Sequence, residues 1–509
     1  MWPYITGLLR FRGKRRSTHG RARPRTARRV SSMRPAMGDT VVLNPGLGVG
    51  HLVPMVELAK LFLRGGLAAT VIVNGPPGKA TDTSAAVARA AAANPSVRFH
   101  VLPAPPDVDA GGTTPPDAAA QAPNPFVLLR RMNAPLRDYL RSVLPSVRAL
   151  VLDMLCFCAD AIDVAAELGV PAYVFYTGSA SSLAVNLYLP RMQAEIGDAS
   201  LGEIGDAPLS FPGNRPFKPT DLPELALDRH NEVYKSFLHA FQRMPESRGI
   251  VVNTFEWLET TALRAIRDGA CVPGRAMPPV YCVGPMVSAA GGGEKKHECL
   301  AWLDAQPEKS VVFLCFGSMG TFPVKQLEEI AVGLERSGQR FLWVVQSPRT
   351  DGGPDLLADA PAEPDLAALL PEGFLERTGG RGFVVKSWVP QANVLRHRAT
   401  GAFVTHCGWN STLEAIVAGL PLICWPLYAE QRQNKVFVVE EMGAGVEMVG
   451  YDEEVVAAAE VEAKVRWVME SKGGAALRER AMAAKDKALE ALDEGGASRT
   501  AFAEFLRDL

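Results

Sequence analysis

Between Ala402 and Trp425 the chain reads as a short apolar strand, a tight turn, a helix and a second apolar strand. Ala402–Thr405 is the first strand, Cys407-Gly408 the turn, and Leu422–Trp425 the second strand. Between them Asn410, Ser411 and Thr412 are residue types that start helices, and Leu413, Ile416 and Val417 recur at helical spacing. Gly419-Leu420-Pro421 ends the helix. Two apolar strands joined by a helix read as a βαβ unit. The first turn of such a helix presents free backbone N–H groups, and His406, Asn410 and Ser411 add donors beside them. That combination predicts an anion site, sized for a diphosphate.

The same rhythm runs through most of the chain. Thr40–Pro45 is a strand, Pro45–His51 a glycine turn, and the segment from His51 to Gly66 an amphipathic helix with Pro54 in its first turn. Strand and helix patterns then alternate to Met286, and again from Cys299 onward. This order predicts an α/β protein of two doubly wound, Rossmann-like domains facing each other across a crevice. The expected boundaries are a basic leader over 1–37, a first domain over 38–286, and a Gly-rich charged linker over 287–298. A second domain follows over 299–490, with a terminal helix over 491–509. Ligands in such sheets bind at the carboxyl ends of the strands. His51 falls at one of these ends, Asp153 and Thr177 at two others, and Ser318 in the turn after KSVVFLCF.

Charge narrows the partners. The formal net charge is −1, yet residues 1–38 hold eleven Arg or Lys and no acid, which leaves −12 for the remainder. An acidic body argues against a nucleic-acid partner. The leader is expected to be disordered or dispensable, with Met37 as an alternative start; its Arg-rich, acid-free composition also fits a transit peptide. No apolar run reaches the roughly 20 residues of a membrane-spanning helix. The eight Cys are scattered through apolar runs, as expected of reduced, buried thiols in a cytoplasmic protein. Cys156-Phe157-Cys158 lacks metal-site spacing, and Asp107-Val108-Asp109 lies in Pro/Gly-rich loop and reads as solvated surface. Gly46, Gly48 and Gly50 invite a dinucleotide reading, but the next strand ends Ile72-Val73-Asn74-Gly75 with no acid for a ribose. Asp153 has two readings from position alone. It is a cap for the segment that follows, or a carboxylate that fixes the tautomer of a histidine across the crevice.

The stretch from Trp388 to Gln431 resembles the plant secondary product glycosyltransferase box, the donor-sugar signature of the plant UDP-dependent glycosyltransferases. The matching positions are Trp388, Gln391, His406, Gly408, Trp409, Asn410, Ser411, Glu414, Pro421, Trp425, Pro426, Glu430 and Gln431, within 44 residues. The resemblance implies a GT-B type fold and a metal-free transfer from a UDP-sugar. It gives His51 as catalytic base and Asp153 as its partner. It gives Trp388, Val389, Gln391 and Glu414 to the nucleoside, and His406, Asn410, Ser411 and Ser318 to the diphosphate. Thr177, Trp409, Glu430 and Gln431 would hold the sugar. A Gln at the last box position implies UDP-glucose as co-substrate, with no bound cofactor. The segments PGLGVGHLVPMVELAK and VLDMLC resemble members acting on flavonoids and related phenolics. The expectation is an inverting O-glucosyltransferase, monomeric, with no membrane or nucleic-acid partner. A non-catalytic UDP-sugar-binding protein and a nicotinamide oxidoreductase are the competing readings, and the missing ribose acid disfavours the second.

Overall fold

A computed structural model describes residues 39–74, 82–103, 124–205, 207–288, 297–349 and 362–509. The leader over 1–37, Asp107 and Asp109, and most of the expected linker lie outside the described residues.

Two parallel sheets carry the chain. The first has seven strands: β1 (Thr40–Asn44), β2 (Ala68–Val73), β3 (Arg98–Val101), β4 (Val147–Asp153), β5 (Ala172–Tyr176), β6 (Ile250–Val252) and β7 (Val280–Cys282). Their spatial order is β3-β2-β1-β4-β5-β6-β7. The second has six: β8 (Val311–Cys315), β9 (Arg340–Val345), β10 (Gly382–Lys386), β11 (Thr400–Thr405), β12 (Leu422–Cys424) and β13 (Gly445–Glu447). They run in the order β10-β9-β8-β11-β12-β13. Both orders reverse direction once, between β1 and β4 and between β8 and β11. At those points neighbouring connections leave in opposite directions and open a crevice at the strand ends.

The central strands are apolar along their whole length because helices cover both faces. Val41, Val42 and Leu43 are fully buried, and Val42 packs with one face of the first sheet while Val41 and Leu43 pack with the other. All eight cysteines are buried and unpaired. Among the described residues no helix is long and apolar enough to cross a membrane.

The two sheets are tied together by side chains. The last helix, Ala497–Asp508, returns to the first sheet. There Phe505 lies 4.9 Å from Tyr173 and 5.0 Å from Tyr281, and Phe502 lies 5.5 Å from Phe62. Tyr173 Oη donates to the Asp508 carbonyl at 2.8 Å. On the crevice side the Lys435 ammonium, from the second unit, sits 3.4 Å from Asp221 of the first and 3.2 Å from Glu447. Arg432 donates to the Thr220 carbonyl at 2.9 Å.

Candidate active site

The first half of the site forms where β1 meets β4. β1 ends at Asn44, and the turn over 45–48 delivers the chain into the Val49–Arg64 helix. Gly48 caps that helix at φ 89°, in the region open to glycine. His51 therefore sits in the first turn, and its Nδ1 lies 2.9 Å from Asp153 Oδ2 at the end of β4. Asp153 is completely buried, and its Oδ1 accepts the Leu155 N–H at 2.9 Å. Both readings of Asp153 hold at once: one oxygen caps the helical turn Met154–Cys158, the other holds the imidazole. Gly46 makes room for this, since a Cβ there would lie 2.5 Å from Asp153 Oδ1.

With Nδ1 bonded to a carboxylate, the proton belongs on Nδ1 and Nε2 is the basic nitrogen. Burial alone would lower the His51 pKa. The Asp153 charge and hydrogen bond, with Glu430 further off, outweigh it and hold the imidazole above its ordinary value. Thr177 Oγ1 lies 3.4 Å from the same Nδ1, a contact of packing more than of bonding.

The second half forms where β8 meets β11. Past β11, Cys407 adopts φ 64° and turns the chain sharply into the Trp409–Ala418 helix. The N-cap is Gly408, with no side-chain cap, and not Asn410–Thr412 as the sequence suggested. The chain is turned by the Cys407 conformation, so the helix begins one residue before the polar trio and its first N–H groups are left open for a ligand. His406 is buried against two glycines: a Cβ on Gly317 or on Gly408 would lie 2.7 or 2.5 Å from its Nε2. Burial drops the His406 pKa to about 4, so it serves as a neutral hydrogen-bonding ring. Ser318, next to Gly317, is exposed on that same turn.

The remaining box residues divide by what their side chains already hold. Gln391 Nε2 donates to Ser411 Oγ at 3.0 Å and to Glu414 Oε2 at 2.7 Å, making these three one connected group. Burial raises the Glu414 pKa, and Gln391 works against that rise. Trp388 is 45% exposed, and the Arg89 guanidinium lies 5.3 Å over its ring. Asn410 Nδ2 donates to the Gly50 carbonyl at 2.7 Å, one residue before His51, while its Oδ1 is buried without a partner. Gln431 is buried and its Oε1 accepts the N–H groups of Leu427 and Tyr428 at 2.8 and 3.0 Å. Glu430 precedes it, its pKa raised by burial, close enough to His51 to interact electrostatically.

Two of the expected site residues have their side chains committed elsewhere. The Trp409 indole does not face a sugar: it is buried, and its Nε1 donates to the Asn253 carbonyl of the first domain at 2.7 Å. The residue's backbone opens the Trp409–Ala418 helix. Val389 likewise buries its side chain in the core of the second unit, leaving its main chain. Sequence reasoning missed Asn253, Glu259, Asn434 and Arg89. Asn253 did leave a signal, a polar residue at the end of the apolar run GIVV. Arg89 left none, since it sits in an Ala-rich helix, Asp82–Ala93.

A family model described as UDP-glucoronosyl and UDP-glucosyl transferase matches residues 251–495. Over 480 residues the chain is 41% identical to an anthocyanidin 5,3-O-glucosyltransferase of a Rosa hybrid cultivar, covering 92% of this chain and 98% of that one. It is also 41% identical to a phloretin 2'-O-glucosyltransferase of Pyrus communis, across 93% of this chain and 100% of the relative. A UDP-glucosyltransferase from Polygonum tinctorium capable of glucosylating indoxyl superimposes with TM-score 0.80 at 35% identity, covering 93% of this chain and 99% of that one. Phytolacca americana UGT2, solved with UDP-2fluoro-glucose and pterostilbene, superimposes with TM-score 0.78 at 32% identity, covering 93% and 99%. Two facing parallel-sheet domains, a histidine–aspartate pair at one switch point, an open helix N-terminus at the other and this identity over nearly the whole length show that the chain belongs to the UDP-glycosyltransferase family, with the GT-B fold.

Proposed function

We propose that the enzyme transfers glucose from UDP-glucose to a phenolic hydroxyl of a flavonoid-type acceptor, with inversion at the anomeric carbon. The observation that carries the reading is the 2.9 Å bond between His51 Nδ1 and a fully buried Asp153. It leaves His51 Nε2 as a base across from the open helix N-terminus at Trp409. A phenol with a pKa of about 10 is within reach of such a base.

The acceptor oxygen attacks the anomeric carbon while its proton passes to His51 Nε2. The bond to the UDP oxygen breaks, and the electron pair leaves with the diphosphate. Asp153 stabilises the imidazolium. The N–H groups at Trp409, Asn410 and Ser411, with Ser318 and neutral His406, take up the charge on the leaving group. A single displacement inverts the centre, so an α-linked donor yields a β-glycoside. Trp388 would stack the uracil once Arg89 moves off its face, with the Val389 main chain at the base edge. Gln391 and Glu414 would hold the ribose; Thr177, Glu430 and the amide of Gln431 would hold the sugar hydroxyls. Glucose is assigned from Gln431 and from the glucosyltransferase names of the relatives. The phenolic class follows the same relatives and the pterostilbene-bound neighbour. We place the enzyme in the cytoplasm, a reading supported by eight buried cysteines free of disulfides, and take it to act as a monomer.

The test is incubation with UDP-glucose and a panel of flavonols, flavones and chalcones, read as a mass gain of one hexose. His51→Ala is expected to cut turnover by about 10²–10⁴, with UDP affinity nearly kept. Near-normal turnover in that variant would remove the proposed base. UDP binding with no transfer to any acceptor, even in the unaltered protein, would favour a UDP-sugar-binding protein instead.

A further inference from the structure

Glu259 stands at the N-terminus of the Thr260–Arg267 helix, 3% exposed, and does nothing obvious for its own helix. Its two carboxylate oxygens reach into another one. Oε2 accepts the Ala180 N–H at 2.9 Å and Oε1 the Ser181 N–H at 2.8 Å. These are the first two residues of the Ala180–Ile196 helix, which already has a side-chain cap: Ser179 Oγ accepts the Ser182 N–H at 3.0 Å. A buried carboxylate is a costly way to finish a helix end that a hydroxyl has capped. Burial pushes the Glu259 pKa up to about 7, and the Glu441 carboxylate of the second unit adds to the rise. Thr254 and the Ser181 and Ala180 N–H groups oppose it, and the Glu259 charge in turn helps raise the Cys282 thiol.

The position of this carboxylate explains its use. The turn it anchors, over 177–179, touches both halves of the site. Thr177 Oγ1 is 3.4 Å from His51 Nδ1, and Ser179 Oγ is 3.3 Å from Asn434 Oδ1. Asn434 Nδ2 in turn donates to the Cys407 carbonyl at 2.9 Å, at the bend that launches the donor helix. Six residues before Glu259, the Asn253 carbonyl holds the Trp409 indole at 2.7 Å. One peptide, 253–259, therefore fixes the donor helix at one end and the turn beside the base at the other.

We propose that Glu259 is a positioning residue for the transfer reaction: it fixes the Thr177–Ser179 turn against His51 and sets the distance between base and donor. The proposal rests on the glycosyl-transfer reading above. Among the described residues the side chains of Trp388, Gln391 and Glu414 share no hydrogen bond with Glu259 or the 177–179 turn, so a defect in that turn should appear in kcat and not in donor binding.

Glu259→Gln keeps the volume but offers one acceptor where two N–H groups point. It is expected to lower kcat by about ten- to a hundredfold, with UDP affinity and KM for UDP-glucose changed by less than about twofold. The loss should grow as the acceptor phenol becomes less acidic, because a displaced base fails most where deprotonation is hardest. A merely structural defect would reduce all phenols alike. Amide hydrogen exchange in the same variant should quicken over 177–182 and stay unchanged over 405–412. Unchanged protection at 177–182 would overturn the proposal whatever the acceptor proves to be, and so would an equal loss for every phenol. Failure of the unaltered enzyme to glycosylate phenols would instead sink the functional reading, with the exchange result still judging Glu259. If Glu259→Gln fails to fold, Thr177→Ala, which removes the side-chain atoms that pack on His51, must show the same dependence on phenol acidity or the proposal falls.

Discussion

Asp153 shows how one side chain can satisfy a local and a distant demand together. Its Oδ1 closes the turn that follows β4, and its Oδ2 reaches the imidazole of a residue 102 positions earlier. The two roles predict separable losses. Asp153→Asn keeps an oxygen for the Leu155 N–H, so the fold should survive. The charge beside His51 disappears, and burial then dominates the imidazole, drawing its pKa below the ordinary 6.5. His51 must be unprotonated to act. In the unaltered enzyme the raised pKa means activity falls on the acid side beginning above pH 6.5; in Asp153→Asn that acid limb should move to lower pH. The maximum rate should also drop, by about 10²–10⁴, as the imidazolium loses its partner. A pH–kcat profile of both proteins checks this, and an acid limb that does not move would separate Asp153 from the base. Position near strand ends put His51 and Asp153 at the crevice in sequence, and the family resemblance, not the pattern, supplied their roles. Glu259 was not legible, since an acid between NTFEWL and a polar helix start reads as solvated surface.

At the scale of elements, the donor helix is organised by what its first turn leaves open. Gly408 contributes no side-chain cap, and Cys407 at φ 64° bends the chain so that the helix starts at Trp409. The sequence expectation of a cap at Asn410–Thr412 failed for a physical reason: those side chains were recruited elsewhere. Asn410 reaches Gly50, Ser411 accepts from Gln391, and Thr412 Oγ1 returns to the Gly408 carbonyl at 3.2 Å. Trp409 acts as a strut between domains through its indole. Trp409→Phe keeps the ring packing and removes the donor, leaving the Asn253 carbonyl buried and unpaired. The expected cost is about 1–3 kcal/mol, measured as a lower urea midpoint, with kcat falling more than donor affinity. Unchanged stability and rate would mean that the strut does not set the apposition of the two halves.

At the scale of the whole molecule, the couplings between the two units include the last helix, the Asn253–Trp409 and Gly50–Asn410 bonds, and the cluster of Lys435 with Asp221 and Glu447. Phe505 anchors the last helix, fully buried against Tyr173 and Tyr281. Phe505→Ala should destabilise the protein by about 3–5 kcal/mol, a large part of the usual 5–15 kcal/mol of a native domain. Chemical denaturation checks this, and the prediction fails if the midpoint barely moves.

Local sequence was enough for the architecture, because strand and helix periods are properties of a few adjacent residues. Alternating periods require parallel sheets, parallel sheets require a switch point, and the switch points require crevices where His51, Asp153, Ser318 and His406 fall. What local sequence could not decide is which polar groups remain free at those crevices. The Trp409 indole, the Gln431 carbonyl and the Glu259 carboxylate all look available in the chain as written. Each is committed in the folded molecule. For Trp409 and Glu259 the partner lies far along the chain, 156 and 79 residues away; for Gln431 it is a loop closed over its own side chain. A buried donor or acceptor has to find a partner somewhere, and only the tertiary structure says which one it found.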